Sequence, residues 1–325
     1  MGNFTQIQQE YNTKVNLAIT QYINKQNQNN QPLDSNQIEL IKQQTLAQMR
    51  FSKMNDLFQN TNRNVICYFS TWLQSNSSNP ELMINDNDMN GFMNAVSQLD
   101  KTKGLDLILH TPGGVTTATE SIVNYLRKIF NSDFRVIVPH LAMSAGTMIA
   151  CASKEIILGK ESSLGPVDPQ YHNVPAQGVL NEFDRAINET VLVPNKSLIW
   201  KEIISQYRPT FVNECQNVVD LSEQLVKEWL ESGMLMRKRK KTTISTKIVK
   251  ELASHNLSKV HDRHFDYEKC KKIGLNVKKL ELDPNFQDKV LSIYHTYLLS
   301  TYTNPSTIKF IEAHDSNSFI INGKR

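Results

Sequence analysis

One segment limits the fold more than any other: "LDLILHTPGGVTTATESIVNYLRKIF", Leu105 to Phe130. A strand-length run of mostly apolar residues enters Thr-Pro-Gly-Gly, and an amphipathic pattern starts at once. A strand feeding directly into a helix is half of a βαβ unit. Leaving the strand through two glycines bares the backbone, because no side chain covers the N–H groups there. Such donors can be aimed at an anion or a developing oxyanion. From this stretch alone, a tight turn that needs glycine only for its geometry explains the residues equally well.

A second segment has the same construction. In "VIVPHLAMSAGTMIACASKEIILG" a strand runs into Met-Ser-Ala-Gly-Thr, and a helix of small residues follows. Ser144 falls at or next to the N-terminus of that helix, where the helix dipole favours negative charge. Ala145 and Gly146 are small enough to let another backbone come close, and the Ala145 N–H is a possible second donor. Taken alone, Ser144 reads more simply as a helix N-cap.

Around these two segments the chain alternates. Strand candidates at 64–70, 105–110, 134–140 and 154–159 are apolar on both faces, and helical patterns separate them at 89–100, 116–130 and 145–153. The alternation predicts an α/β fold with a mostly parallel sheet covered by helices. Residues 70–88 read as a loop or lid. Residues 1–62 are rich in Gln and Asn and predict a helical arm, its second helix running Ile38–Phe58 from an N-cap at Asp34 or Ser35; disorder competes for its first half. Beyond "SSLGPVDPQYHNVPAQ" the pattern is helical, as one long helix or a pair bent at Pro209. A helix, a connection, a helix capped by Gly274 and a strand-like "LNVKKL" follow. The domain boundaries so read are an arm over 1–62, a catalytic-type domain over 63–282 and an extension over 283–325. The tail "NSFIINGKR" is expected to be loose.

Composition removes several classes of function. Hydrophobic residues at 39% and charged ones at 21% describe a globular chain, and a net charge of +4 over 325 residues is too small to argue for nucleic acid. "RKRKK" at 237–241 lacks interleaved aromatics and reads as a solvated loop after a helix C-terminus. The four cysteines form no CxxC pair and "HDRHF" alone is too little for zinc, so neither a disulfide framework nor a metal site is expected. The N-terminus lacks a basic-then-apolar leader, Gln6 stands where myristoylation wants Ser or Thr, and no apolar run is long enough to cross a bilayer. The expectation is a cytoplasmic protein without stable membrane insertion.

Three segments together, "LILHTPGG", "AMSAGTMIACA" and "SSLGPVDPQ", resemble the serine dehydrogenase proteinase family, signal peptide peptidase A-like members of the ClpP/crotonase superfamily. They come in that family's order and spacing, and "HDRHFDYEKCKKIGLNV" is similar to its end segment. The resemblance runs from about Asn64 to about Leu282 and does not extend to the arm or the tail. It implies a ClpP/crotonase-like β-β-α superhelix. It also implies Ser144 as nucleophile, Gly114 and Ala145 N–H groups as oxyanion hole, and Gly113 as the residue that lets the backbone approach. The reaction implied is acyl transfer to serine followed by hydrolysis, with no cofactor.

The general base is the point of departure from the Ser-His-Asp pattern. Asp168 stands in the slot where ClpP-type members carry histidine, and His172 lies a little beyond. The peptidase A branch uses a lysine, which must be neutral to accept a proton. Lys196, in a Lys-Ser pair at a similar distance from the nucleophile, is the leading candidate by resemblance. Lys201, His172 and His261 follow, and the absence of any working base stays open. Asp168 is read as orienting a base or substrate, or as locking its turn. Ser162 and Ser163 either support the amine or cap the loop. His110 and His140 either line the pocket or end their strands as satisfied core histidines, and His261 with His264 reads as a structural turn.

Three functions compete at this level. The first is a serine peptidase acting on peptides or unfolded proteins. The second is a catalytically silent oligomeric scaffold or effector subunit. The third is a crotonase-like acyl-CoA enzyme, which the lack of an acidic pair near the Gly-Gly turn disfavours. The resemblance further implies a homo-oligomer.

Overall fold

The computed structural model describes residues 3–26, 34–75, 79–171, 174–253 and 264–323. Two helices open the chain, α1 (Phe4–Gln26) and α2 (Ser35–Thr61). The start of α2 is set by Asp34, whose side chain and that of Gln37 form a reciprocal capping box. The run of apolar residues at Asn64–Ser70 then forms β1, buried along its whole length, as the continuous pattern requires. Next come α3 (Asp88–Val96), β2 (Leu105–His110), α4 (Thr116–Ile129), β3 (Phe134–Val138), the short β4 (Leu141–Ala142), α5 (Ala145–Ala152) and β5 (Glu155–Leu158).

The second half is mainly helical. Short strands β6 (Ser163–Leu164), β7 (Gln170–Tyr171) and β8 (Val174–Pro175) lead into α6 (Ala176–Leu192), α7 (Ser197–Ile204), α8 (Phe211–Ser232) and α9 (Lys241–Ala253). The helical stretch around Pro209 is therefore a pair, broken between Ile204 and Phe211. Arg237 to Lys240 lie exposed in the turn between α8 and α9. Helix α10 (Tyr267–Ile273) ends at Gly274 and passes to β9 (Val277–Lys279); α11 (Pro284–Thr303), β10 (Thr307–Ala313) and β11 (Ser318–Asn322) close the chain.

One seven-stranded sheet organises these elements, in the order β11-β10-β1-β2-β3-β5-β9. The five strands from β1 to β9 are parallel, while β10 runs antiparallel to β1 and β11 antiparallel to β10. This corrects the expectation of a loose tail: Ser318–Asn322 is an edge strand, held because Phe310, Ile311 and Glu312 pair with Ile320, Phe319 and Ser318. The described part of the extension, residues 283–323, thus supplies one helix over the sheet and two strands within it.

Strand alternation sorts side chains to two cores. Leu105, Leu107 and Leu109 face α3, α4, α5 and α8, whereas Ile108 faces α2 and α11. Each large apolar side chain so buried contributes about 1.5–3 kcal/mol before entropy is counted. The four cysteines are free and buried.

Candidate active site

The Gly-Gly turn and the Ser144 turn leave neighbouring strands, β2 and β3, and meet. A bridge between Thr111 and Ala142 ties the two exits together. Two bonds reinforce it: Thr111 N–H donates to Leu141 O (3.1 Å), and Met143 N–H donates to Thr111 O (3.0 Å). The contact is so close that a Cβ on Gly113 would lie 2.8 Å from the Ser144 Cβ and 3.0 Å from the Ala145 nitrogen. Gly113 also has φ +103°, a conformation that side-chain-bearing residues rarely adopt.

Gly114 is required for a different reason. A Cβ there would meet the Ile84 backbone, at 2.2 Å from its oxygen and 2.4 Å from its nitrogen. Ile84 lies in the segment read from sequence as a loop or lid, and it pairs with the Gly-Gly turn as a one-residue parallel bridge. Its N–H donates to Gly113 O (2.8 Å), and its C=O accepts from Val115 N–H (2.9 Å). Those bonds use the peptide groups on either side of Gly114. The N–H of Gly114 itself points the other way, as alternation along an extended chain demands.

Ser144 sits on a strained turn, with φ +49° and ψ −112°, at the N-cap of α5. A non-glycine residue in this region costs of order 1–3 kcal/mol, and such strain clusters at functional sites. The side chain is half-buried and makes no capping hydrogen bond, so the plain N-cap reading of Ser144 does not hold. Ala145 is buried as the first residue of α5, whose opening N–H groups have no partner within the helix.

Ser144 and Gly114 line one cleft of about 420 Å³. Its other walls are apolar or neutral: Met83, Val115 and the threonines that start α4, Gln170 and Tyr171 of β7, and Val218 and Leu221 of α8. Among the described lining residues, none carries a formal charge.

The base candidates among the described residues are not gathered at that cleft. Lys196 stands on the turn between α6 and α7 and pairs with Glu189, Nζ to Oε2 at 3.0 Å. Hydrogen bonds from Arg185, Lys196 and Trp200 hold the Glu189 carboxyl down to about 2. Lys201 is exposed on α7. Neither lysine lines the cleft. Asp168 is buried beside Val167 and is also outside the lining. The Ser162 hydroxyl accepts from Gly159 N–H and donates to Val138 O, so it holds its loop; Ser163 sits in β6, its N–H donating to His140 O. His172 and His261 lie outside the described residues.

The strand-end histidines occupy the opposite face of the sheet. His110 shares the face of Ile108, stacks against His140 at 5.6 Å and meets Tyr294 of α11 edge-on. Tyr294 Oη lies 3.1 Å from His140 Nδ1. Burial, with a smaller contribution from His140, lowers the His110 imidazole to about 3. Neither ring lines the Ser144 cleft. His264 is exposed just before α10.

Sequence reasoning missed Met83, Ile84, Tyr171, Val218 and Leu221. Ile84 is the most consequential of these, and its sequence signal is a short apolar run, Leu82-Met83-Ile84, inside a polar loop.

Comparison with known proteins bears on this geometry. The sequence model of the ClpP-like SDH-type serine proteinases matches residues 41–318. Uncharacterized protein MJ0137 of Methanocaldococcus jannaschii is 31% identical over 215 residues, covering 65% of this chain and 64% of that protein. Uncharacterized protein MJ1495 of the same organism is 30% identical over 220 residues, covering 67% and 65%. The chain thus spans slightly less than two thirds of the length of these relatives. Among the described residues, no helix is long and apolar enough to cross a membrane.

Proposed function

The chain belongs to the ClpP-like SDH-type serine proteinase family, and from that premise we propose that it hydrolyses peptide bonds with Ser144 as nucleophile. The observation that carries this reading is the strained, uncapped Ser144 beside the bare Gly113–Gly114 turn in one cleft. Ser144 Oγ attacks the peptide carbonyl, and its proton passes to a base. The oxyanion lies between the N–H of Gly114 and that of Ala145, two fixed donors that need no reorganisation as charge develops. The tetrahedral adduct expels the amine, and water then hydrolyses the acyl-serine. The apolar walls that Met83, Val115, Val218 and Leu221 give the cleft favour an apolar side chain next to the scissile bond, presented by a peptide or an unfolded protein.

Lys196 is the proposed base, and its surroundings define what must change for it to act. Its amine is held by the Glu189 carboxylate, Nζ to Oε2 at 3.0 Å, and that contact must open before Lys196 can turn toward a serine. The lysine also sits on a turn flanked by exposed apolar residues: Ile187, Val191, Leu192, Leu198 and Ile199 are each more than 60% exposed. A patch of this kind supports assembly into a homo-oligomer. Burial of the turn in an assembly would strip water from Lys196 and bring it against another surface.

The second reading is a silent scaffold of the same fold, favoured by one observation: neither lysine lines the cleft of its own chain. Incubating the assembled protein with an unfolded protein, beside Ser144→Ala, separates the two. Peptide products from wild type and none from the variant support the peptidase. Intact substrate with both supports the scaffold.

A further inference from the structure

Among the described residues, Lys309 is the largest charged side chain sealed completely in the core, and nothing in the proposed chemistry uses it. It lies on β10 on the face of Ile311 and Ala313, beneath the segment that carries Ile84. Its Nζ donates to Asp88 Oδ1 (2.6 Å) and to Met83 O (2.8 Å). Asp88, also sealed from solvent, accepts from Tyr68 Oη (2.8 Å) and from Asn85 N–H (3.2 Å). Ser70 Oγ donates to Leu82 O (2.7 Å) one residue further along.

The pair therefore grips Met83 and Asn85, the two neighbours of Ile84. Ile84 in turn holds Gly113 O and Val115 N–H, the groups on either side of the Gly114 donor. We propose that Lys309 and Asp88 are positioning residues for the oxyanion hole, fixing the Met83–Asn85 segment so that the Gly114 N–H faces the cleft. The proposal rests on the peptidase reading for its catalytic consequence, though not for the clamp itself.

Chemistry supports a geometric role. A buried ion pair is a poor stabiliser, since well-packed apolar residues often do as well. Burial pushes the Lys309 amine down and the Asp88 carboxyl up, each opposed by the other's charge. What an apolar substitute cannot supply is the N–H bond to Met83 O. Met83 O otherwise accepts, among the described residues, a longer bond from Asn85 Nδ2 (3.3 Å), two residues away on the same loop, so Lys309 is its tie to the sheet; an error of about 1 Å at a reacting centre can lower a rate of order 100-fold.

The test uses the full chain with Lys309→Met, with the double variant Lys309→Met/Asp88→Asn, which leaves no unpaired buried charge, and with Asp88→Asn alone, which keeps the shape. Two readouts are taken: amide hydrogen exchange at Ile84 and Val115, and the saturating rate and half-saturating concentration for a fluorophosphonate probe. In the double variant the two amides should exchange at least about tenfold faster while those of β3 do not. The saturating rate should fall about 10–100-fold with the half-saturating concentration little changed, and Asp88→Asn should lie between. A double variant with wild-type protection at Ile84 and Val115 overturns the clamp. One that loses protection but keeps the wild-type saturating rate overturns the positioning role. If wild type never reacts with the probe, the peptidase reading fails, and the catalytic role assigned to the pair falls with it, while exchange still decides the clamp.

Discussion

Replacing Gly114 by alanine tests the oxyanion turn where it is least able to adjust. The added Cβ would stand 2.2 Å from Ile84 O and 2.4 Å from Ile84 N, and both are backbone atoms. Opening the shorter contact to 3.0 Å, the limit for real Cβ atoms, needs a displacement of about 0.8 Å. That displacement weakens the bonds Ile84 makes at 2.8 and 2.9 Å, at about 0.5–1.5 kcal/mol each, so about 1–3 kcal/mol of stability is lost. A fall in Tm of several degrees follows. The effect on reactivity is larger. Misaiming one oxyanion donor costs on the order of 100–1000-fold in rate. The assay is fluorophosphonate labelling of Gly114→Ala, well below its Tm, with folding checked by circular dichroism. A folded variant that labels within about threefold of wild type would refute the assignment of the Gly114 N–H.

Three further outcomes are expected. Because Ser144 holds φ +49° and ψ −112°, Ser144→Gly should melt higher than Ser144→Ala, by an amount reflecting about 1–3 kcal/mol of relieved strain less about 0.5–1 kcal/mol of glycine entropy; a Ser144→Gly that melts below Ser144→Ala would mean the turn is unstrained. Hydrogen bonds from Arg185, Lys196 and Trp200 lower Glu189 from 4.5 to about 2, so its contribution is complete above 4.5 and is lost as pH falls toward 2. Amide protection in α6 and α7, measured against the intrinsic exchange rate at each pH, should fall across that window, and Glu189→Gln should remove the dependence. Lys196→Ala should abolish labelling with folding intact, whereas Lys201→Ala should leave it near wild type; the reverse pattern would move the base to Lys201.

The parallel part of the sheet was legible because β1, β2, β3 and β5 are strand-length, mostly apolar runs next to a helical period. Helix α2 announced its start through Asp34, one of the two N-caps the sequence offered, while the Gln37 half of the box was seen only in the structure. The antiparallel edge was not legible. In "NSFIINGKR" the exposure alternates, so Phe319 and Ile321 alone mark the buried face, and five residues with polar neighbours resemble a tail until β10 pairs with them. The same holds for Ile84: a one-residue bridge carries no period, and its role depends on Gly114, distant in sequence. Lys309 was hidden differently, since a lysine within "TIKFIEA" reads as a solvent-facing strand position until Asp88 is found beneath it. The Ser144 and Gly-Gly segments were readable because each combines a strand end with residues too small for ordinary packing. The base was not, because Lys196 and Lys201 occur in surface helical patterns that carry no trace of what they face.

The central claim is that Ser144 is an activated nucleophile, and covalent labelling measures it directly. Wild type and Ser144→Ala, both folded and assembled, would be treated with a fluorophosphonate from neutral to mildly alkaline pH, and the adduct mapped by mass spectrometry. The account predicts a single adduct on Ser144 in wild type and none in the variant. Absence of labelling in wild type at every pH, or equal labelling of both proteins, would contradict it.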